Sequence, residues 1–210
     1  MTHKKLIIGI TGGSASGKSS YAKNLCDFLS SKCKTIIISM DNFYKGLSQF
    51  SDNELELFQN NKLNLDAPSI INFKLLIQVV SDLLNNRSTK MPIYERMKYD
   101  SVKSQEITDQ YDVIIVEGIF IFTNKILEKM MDIKIFMDVS DQVRLDRRKQ
   151  RYDQSKLDKQ IEYYNTFVCP AYKKYILPQK QLVDFVINGE KQFHSTLTTD
   201  LLGYFHHFMD

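Results

Sequence analysis

The chain has 210 residues, of which 43% are hydrophobic and 25% charged, a balance that is typical of a globular protein and excludes a fibrous or disordered one. Its net charge of +3 is too small to indicate a nucleic-acid partner. Apolar runs stay well below the roughly 18 residues of a membrane span, so no membrane partner is expected. The three cysteines lack metal-finger spacing and are typical of reduced thiols, which favours a cytoplasmic protein.

Apolar runs and helical periodicities alternate along the chain. The expected strands, in chain order, are residues 6–10, 35–39, 113–116, 133–137 and 182–187. The expected helices are residues 18–31, 52–60, 70–85, 123–131, 141–152, 158–175 and 194–208. Residues 91–108 contain Pro92 and alternate weakly, which indicates an extended excursion or a hairpin. This order predicts an α/β fold with a parallel sheet and helices on both faces, in a single domain over residues 1–210.

Half of the eight glycines lie between residues 9 and 17. Residues 12–19 read Gly-Gly-Ser-Ala-Ser-Gly-Lys-Ser and match the phosphate-binding P-loop, G-x-x-x-x-G-K-[ST], between a predicted strand and a predicted helix. Loop N–H groups and the helix N-terminus attract phosphates, Lys18 reaches the β and γ oxygens, and the Ser19 hydroxyl ligates Mg²⁺. The predicted nucleoside triphosphate contacts are Gly12, Gly13, Ser14, Ala15, Ser16, Gly17, Lys18, Ser19 and Ser20.

Two acidic residues end predicted strands, where a parallel sheet opens onto its ligand crevice. Glu117 follows the apolar run 113–116, which is typical of a buried strand. We expect its carboxylate to hold Mg²⁺ directly or through water, rather than to form an ion pair at the protein surface. Asp41 follows the strand at 35–39. Beside Mg²⁺ its carboxylate could take a proton from an acceptor hydroxyl, or it could simply cap a turn. The residues alone favour neither reading of Asp41.

Four arginines follow the predicted strand at 133–137: Arg144, Arg147, Arg148 and Arg151. On a helix, residues 144, 148 and 151 share one face, and such a concentration of positive charge suits phosphate groups. We therefore expect Arg144 and Arg151 to contact the nucleotide. A solvated helix face carries equal weight for any one of these arginines.

In their order along the chain, the motifs resemble those of the uridine-cytidine kinases, in the phosphoribulokinase/uridine kinase family. The resemblance covers roughly residues 5–190 and includes these segments: 12–19, 41–45, 65–68, 91–94, 116–118, 147–148 and 167–170. It implies a P-loop kinase sheet with a β-hairpin excursion at about 88–110 and a lid at about 148–160. It also implies a homo-oligomer, a tetramer or a dimer.

The resemblance implies roles for individual residues around an acceptor nucleoside. Asp41 matches the general base and lies near the metal, completing with Ser19 and Glu117 the Mg²⁺ shell. Asp66 resembles the aspartate that holds the ribose hydroxyls. Tyr94 resembles a tyrosine beside the base, Tyr44 belongs to the same D-x-F-Y element as Asp41, and Arg148 resembles an arginine that reaches the nucleoside and the transferred phosphate.

Two segments depart from the family pattern. The family follows its tyrosine with Asp-Phe and then a histidine, whereas residues 94–99 place Arg96 and Tyr99 at those two positions. Both are expected to line the acceptor site. The Arg-Gly-Arg of the lid is absent, and the lid is about three residues shorter than usual. These departures predict that the protein selects among phosphate acceptors less strictly than a typical member of the family, or that it prefers different acceptors.

The function that the resemblance implies is ATP- and Mg²⁺-dependent phosphorylation of a nucleoside 5′-hydroxyl, with uridine or cytidine favoured. A related kinase for another small alcohol, such as nicotinamide riboside or pantothenate, is the alternative, and Asp66 argues for a ribose. A GTP-dependent switch is less favoured because residues 124–127 lack the aspartate of N-K-x-D. An inactive binding module is less favoured because Lys18 and Glu117 are retained.

Overall fold

The computed structural model describes residues 5–60, 62–196 and 199–209. Within these ranges, the strands are β1 (Leu6–Gly12), β2 (Thr35–Ser39), β3 (Thr89–Glu95), β4 (Asp100–Ile107), β5 (Val113–Glu117), β6 (Ile133–Asp138) and β7 (Phe185–Asn188). Five of them form one parallel sheet in the order β2-β5-β1-β6-β7, and β3 and β4 form a separate antiparallel hairpin. The predicted α/β class and the hairpin excursion are confirmed. A single domain over residues 1–210 stays a prediction, because residues 1–4, 61, 197, 198 and 210 lie outside the described residues.

The helices follow the predicted order, with shifted ends. They are α1 (Lys18–Leu29), α2 (Asp52–Gln59), α3 (Phe73–Leu84), α4 (Lys125–Lys129), α5 (Asp141–Lys149), α6 (Leu157–Tyr163) and a final helix, Thr199–Met209. The start of α3 at residue 73, not 70, follows from its cap, since the Asn72 side chain accepts a hydrogen bond from Leu75 N at 3.1 Å. Asn124 caps α4 in the same way, so this helix is shorter than predicted.

The helix predicted over 158–175 is irregular after α6. Wide π-type turns span Tyr164–Val168 and Tyr172–Ile176, with a short α-helical turn between them, and tight 3₁₀ turns follow over Leu177–Leu182. Because these turns extend to residue 182, β7 begins at residue 185 rather than at the predicted 182. The predicted terminal helix likewise begins with a 3₁₀ turn, Phe193–Thr196.

Hydrophobic side chains pack on both faces of the sheet. On one face α1 contributes Tyr21, Ala22, Leu25 and Leu29, which pack with strand residues and with Leu201. On the other face α3 packs against the strands and the segment after β5. This two-sided burial explains why β1 and β5 are almost continuously apolar. In the described part of the chain, no helix combines the length and the apolar character needed to cross a membrane.

The sheet order brings three chemically important chain segments to one edge. The phosphate-binding loop follows β1, Glu117 ends β5 opposite Ile10, and Ser39 ends β2 opposite Glu117. Because parallel strands present their carboxyl ends on the same side, side chains distant in the sequence meet there. The candidate site is built at this edge.

Candidate active site

The phosphate-binding loop connects the end of β1 at Gly12 with the start of α1 at Lys18. Gly17 adopts φ 91°, a left-handed conformation that side chains disfavour, and it directs the chain into the helix. Ser16 N donates to Gly13 O at 3.1 Å, which closes a tight turn. The Ser16 hydroxyl is buried and contacts no hydrogen-bond partner among the described residues. A loop of this shape at a helix N-terminus fits phosphate oxygens.

The Lys18 ammonium lies inside this loop. Its Nζ donates to Gly13 O at 3.0 Å, and the residue is 8% exposed. Burial lowers the pKa of Lys18, whereas the carboxylates of Glu117 and Asp41 act in the opposite direction. The two acids therefore help to keep the ammonium charged, which is the state that attracts phosphate.

A hydroxyl and carboxylate set lies beside the loop. Ser19 Oγ donates to Glu117 Oε1 at 3.2 Å, and Ser39 Oγ donates to the same oxygen at 2.6 Å. Oxygen ligands of this kind fit Mg²⁺. The described residues contain no cluster of three or more His, Cys, Asp or Glu that could hold a metal by itself. A Mg²⁺ ion here would therefore take its remaining ligands from phosphate and water.

Asp41 lies in the 3₁₀ turn Met40–Phe43 that follows β2. Its Oδ2 accepts a hydrogen bond at 2.5 Å from Nη2 of Arg96, which follows β3 in the hairpin. Its charge also acts on Lys18. The carboxylate is therefore paired with the hairpin and lies near enough to Lys18 to influence its pKa, and its role as a base stays a prediction.

Two tyrosine rings, tilted by 35° to each other, form a wall next to Asp41. The rings of Tyr44 and Tyr94 lie 5.6 Å apart, and Tyr94 N donates to Asn42 Oδ1 at 3.4 Å. Burial raises the pKa of Tyr94 to about 12. Burial and the charges of Asp41 and Asp66 raise the pKa of Tyr44 well above its usual range. Both hydroxyls thus stay protonated near neutral pH, and both carboxylates lie close to Tyr44.

Asp66 belongs to the loop between α2 and α3. Its Oδ2 accepts a hydrogen bond from Tyr163 Oη at 3.1 Å, and its backbone N donates to Asn64 Oδ1 at 2.8 Å. Burial raises the pKa of Asp66, although the Arg148 guanidinium and the Tyr163 hydroxyl oppose this rise. The structure therefore supplies a partly desolvated carboxylate, well suited to accept hydrogen bonds from a polyol.

Arg148 lies between the phosphate-binding loop and Asp66. Its Nη1 donates to Ser14 Oγ at 3.2 Å, and its guanidinium lies 5.9 Å from the centre of the Tyr163 ring. Its charge acts on Asp66 as well. Arg151 is close enough to lower the pKa of Lys18. Both arginines therefore lie near the loop, and their contacts with a nucleotide stay predictions.

Arg144 lies behind the loop, although the helical spacing predicts it on one face with Arg148. It is 1% exposed, it pairs with Asp141, and its guanidinium stacks 3.7 Å from the centre of the Tyr172 ring. A Cβ added at Gly13 would lie 2.5 Å from Arg144 Nη1. Arg144 therefore supports the loop from beneath, and a direct contact with ATP stays a prediction.

Tyr99 fastens the hairpin turn to α2. Its ring packs edge-to-face on Phe58 with centroids 4.9 Å apart, and its backbone oxygen accepts a hydrogen bond from Leu47 N at 3.0 Å. Electrostatic interaction with Tyr99 contributes to the raised pKa of Tyr94, so Tyr99 lies near the tyrosine wall. A contact between Tyr99 and a bound base stays a prediction.

The remaining predicted loop residues take different positions. Ala15 is buried in the loop, and its backbone oxygen accepts a hydrogen bond from Arg147 Nη1 at 3.4 Å. Arg147 Nη2 also donates to Gly189 O at 3.0 Å, so this arginine ties the loop to the end of β7. Ser20 is exposed on α1, one residue beyond Ser19.

Two residues that contact the predicted acids were not among the predicted site residues. Ser39 binds Glu117, and Tyr163 binds Asp66. Ser39 could have been found from its place at the end of a strand next to that of Glu117. Tyr163 belongs to no recognised motif, and its contact depends on how α6 packs after the lid, which no local pattern shows.

Comparisons with known proteins agree with this geometry. Residues 7–193 match the model of the phosphoribulokinase/uridine kinase family. The chain belongs to this family. A uridine kinase of Listeria monocytogenes serotype 4a (strain HCC23) is 35% identical over 205 residues, which cover 95% of each chain.

Other known proteins are similar over different lengths. Uridine-cytidine kinase A of Dictyostelium discoideum is 35% identical over 185 residues, and the matched part spans 87% of this chain but 36% of that protein. The crystallised phosphoribulokinase from Rhodobacter spheroides has a TM-score of 0.64 at 16% identity, covering 91% of this chain and 75% of its own. This last likeness establishes the shared fold.

Proposed function

We propose that this family member is a nucleoside kinase that transfers the γ-phosphoryl group of ATP to the 5′-hydroxyl of uridine or cytidine. The observation that carries the proposal is that two carboxylates, Asp41 and Asp66, both act on Tyr44, and that Asp41 also acts on Lys18 of the phosphate-binding loop. One carboxylate suits the reacting hydroxyl and the other suits sugar hydroxyls. Relatives named uridine kinase, similar over nearly the whole chain, support the choice of acceptor.

In this proposal the loop and its surroundings hold the phosphates. Lys18 and the free Ser16 hydroxyl bind phosphate oxygens, and Ser19 with Glu117 would hold Mg²⁺. When bound, Mg²⁺ neutralises charge on the β and γ oxygens. Positive charge arranged in advance around the transferring group supplies most of the catalysis in this reaction class.

On the acceptor side, Asp41 takes the proton of the 5′-hydroxyl as the oxygen attacks phosphorus. Arg96 now holds Asp41 Oδ2, so this ion pair must open or rearrange for the hydroxyl to reach that oxygen. Asp66 accepts hydrogen bonds from the sugar. Arg148, between Ser14 and Asp66, stabilises the phosphoryl group in transit.

Other acceptors within the same fold are less favoured. Nicotinamide riboside shares the ribose that Asp66 would hold, whereas pantothenate carries no such vicinal diol. We further propose ATP as the donor, a homo-oligomer of two or four copies and a cytoplasmic location. The last proposal rests on Cys26, Cys33 and Cys169, which are free thiols and typical of a reducing compartment.

A panel of alcohols tests the proposed function. Uridine, cytidine, adenosine, nicotinamide riboside and pantothenate are each incubated with Mg·ATP, and ADP release and the mass of the product are measured. Uridine or cytidine should give the highest kcat/KM and a 5′-monophosphate. Preferential phosphorylation of pantothenate would overturn the proposal.

The role of Asp66 predicts a preference for ribonucleosides. A 2′-deoxynucleoside leaves part of a half-buried acceptor unpaired, which costs roughly 1–3 kcal/mol. We expect kcat/KM for uridine to exceed that for 2′-deoxyuridine by about 5- to 150-fold in the wild type, and Asp66→Asn to reduce this ratio. Equal rates with the two substrates would remove Asp66 from sugar recognition.

The ion pair between Arg96 and Asp41 predicts how fast the enzyme hydrolyses ATP when no acceptor is present. Arg96→Gln frees Asp41 to accept a proton from water, so ADP release without acceptor should rise about 3- to 10-fold. This increase is smaller than the rate enhancement that a correctly positioned general base provides. Lys98→Gln is the matched control, since Lys98 pairs with Glu95 at 2.8 Å in the same turn. Unchanged hydrolysis in Arg96→Gln would contradict this reading.

A further inference from the structure

Arg144 is a buried cation to which the proposed mechanism gives no task. The residue is 1% exposed, and two nitrogens of its guanidinium, Nε and Nη1, contact no hydrogen-bond partner among the described residues. Burying a charge with unsatisfied donors is costly unless a group of opposite charge compensates it. An apolar side chain would fill the same space at a lower cost. The positive charge itself therefore needs an explanation.

The protein compensates this charge only in part. Nη2 of the guanidinium pairs with Asp141, but the Asp141 side chain is 55% exposed. Water screens this carboxylate at the surface much more than it screens the buried guanidinium. The Tyr172 ring, with its centre 3.7 Å from Arg144 Cζ, adds the weaker attraction of a π face. A second carboxylate that acts on Tyr172, Asp138, pairs with Lys180 at 2.8 Å. A net positive charge therefore remains inside the protein.

The remaining charge lies against the phosphate-binding loop. A Cβ added at Gly13 would lie 2.5 Å from Nη1 and 2.9 Å from Cζ of Arg144, so the guanidinium approaches the loop backbone where no side chain intervenes. The charge also reaches the interior of the loop: burial lowers the pKa of Lys18, and the charge of Arg144 adds to this lowering. Charges interact through the protein interior without direct contact, because the dielectric constant there is low.

We propose that Arg144 strengthens the binding of ATP and ADP as a partly uncompensated buried charge, which attracts their phosphates from beneath the loop without touching them. The inference rests on the proposed binding of phosphates in this loop, but not on the identity of the acceptor. The phosphates keep nearly the same total charge during transfer, so Arg144 stabilises the bound substrate and the transition state equally. Its effect should therefore appear in nucleotide affinity and hardly in kcat.

Arg144→Met tests the proposal, because methionine keeps an unbranched apolar side chain and removes the charge. The dissociation constant of Mg·ADP, measured by isothermal titration calorimetry without acceptor, should rise about 5- to 50-fold, the effect of one charge at an effective dielectric constant of about 20. With uridine as acceptor, KM for ATP should rise by a similar factor, and kcat should stay within about 2-fold of the wild-type value.

Arg144→Lys is the matched control, since lysine keeps the charge and loses the planar stack on Tyr172. Its affinity for Mg·ADP should stay within about 3-fold of the wild-type value. An equal loss in the two variants would reduce Arg144 to a packing residue, and an unchanged affinity in Arg144→Met would show that its charge has no effect on binding. Either result overturns the proposal. Thermal unfolding checks that Arg144→Met folds, as expected when an apolar residue replaces a buried ion-pair partner of similar volume.

A change in the counter-ion makes the test independent of how Arg144→Met folds. Asp141→Asn removes the negative charge of the pair, while its amide oxygen can still accept a hydrogen bond from Arg144. Mg·ADP should then bind about 2- to 5-fold more tightly, a gain that loss of structure does not produce. Asp146→Asn, which changes an exposed carboxylate of α5 that pairs with Lys149 at 3.4 Å, should leave the affinity unchanged. Unchanged or weaker binding in Asp141→Asn would overturn the proposal.

The wild-type protein separates this inference from the proposed function. A protein that binds Mg·ADP but phosphorylates neither uridine nor cytidine would overturn the proposed function alone. A protein that binds neither Mg·ADP nor Mg·ATP would overturn both. Normal kinase activity with wild-type ADP affinity in Arg144→Met would overturn the inference alone.

Discussion

Lys18→Ala is expected to lower kcat by at least about 10²-fold while the protein remains folded. The ammonium stabilises charge on the transferring phosphoryl group, and removal of one such prearranged donor typically costs this much. Lys18 is held inside the loop by Gly13 O, so no other lysine can take its place without a rearrangement of the loop. The measurement is steady-state kinetics with uridine and Mg·ATP.

Lys23→Ala provides the control, because Lys23 is exposed on the same helix. Circular dichroism and thermal unfolding of both variants separate a loss of catalysis from a loss of structure. Wild-type turnover in a well-folded Lys18→Ala protein would contradict the assignment of this loop to phosphate binding.

Asp41→Asn is expected to lower kcat by about 10²- to 10⁴-fold and to leave KM for ATP nearly unchanged. The amide keeps the shape of the side chain, and its oxygen can still accept the hydrogen bond from Arg96. It cannot take the proton of the acceptor hydroxyl. The loss should therefore appear in the chemical step, measured as single-turnover product formation at saturating ATP.

Asp27→Asn serves as the matched control, since Asp27 is an exposed carboxylate on α1. A near-normal kcat in Asp41→Asn would return Asp41 to the alternative role of a turn cap. A parallel loss of ATP affinity would indicate instead that Asp41 acts mainly through the metal.

The fold was largely predictable because its signals are local. Continuous apolar runs indicate the buried parallel strands, and the alternation of strands and helices fixes the layered architecture. Helix ends were less predictable, since Asn72 and Asn124 begin α3 and α4 by hydrogen bonds that apolar periodicity does not register. The π-type turns after α6 also leave no mark in the hydrophobic pattern.

The candidate site likewise contains residues that a local sequence pattern reveals and residues that no local pattern reveals. Gly12 to Ser19 form one short motif, and Glu117 ends a recognisable strand, so the sequence alone predicts that they lie together at one edge of the sheet. The burial of Arg144 beneath Gly13 was not predictable, because helical spacing gives the face on which a residue lies but not what covers that face. Tyr163 meets Asp66 through packing between distant segments, which a single sequence does not encode in any short pattern.

The packing of Arg144 under Gly13 constrains what mutation can do at these two positions. An alanine at position 13 would push against the guanidinium, which is already held by Asp141 and by the Tyr172 ring. The change becomes tolerable only if residue 144 shortens, and Tyr172 then loses its stacked cation. Substitutions at 13 and 144 are therefore epistatic, so relatives that carry a side chain at position 13 should also carry a smaller residue at position 144.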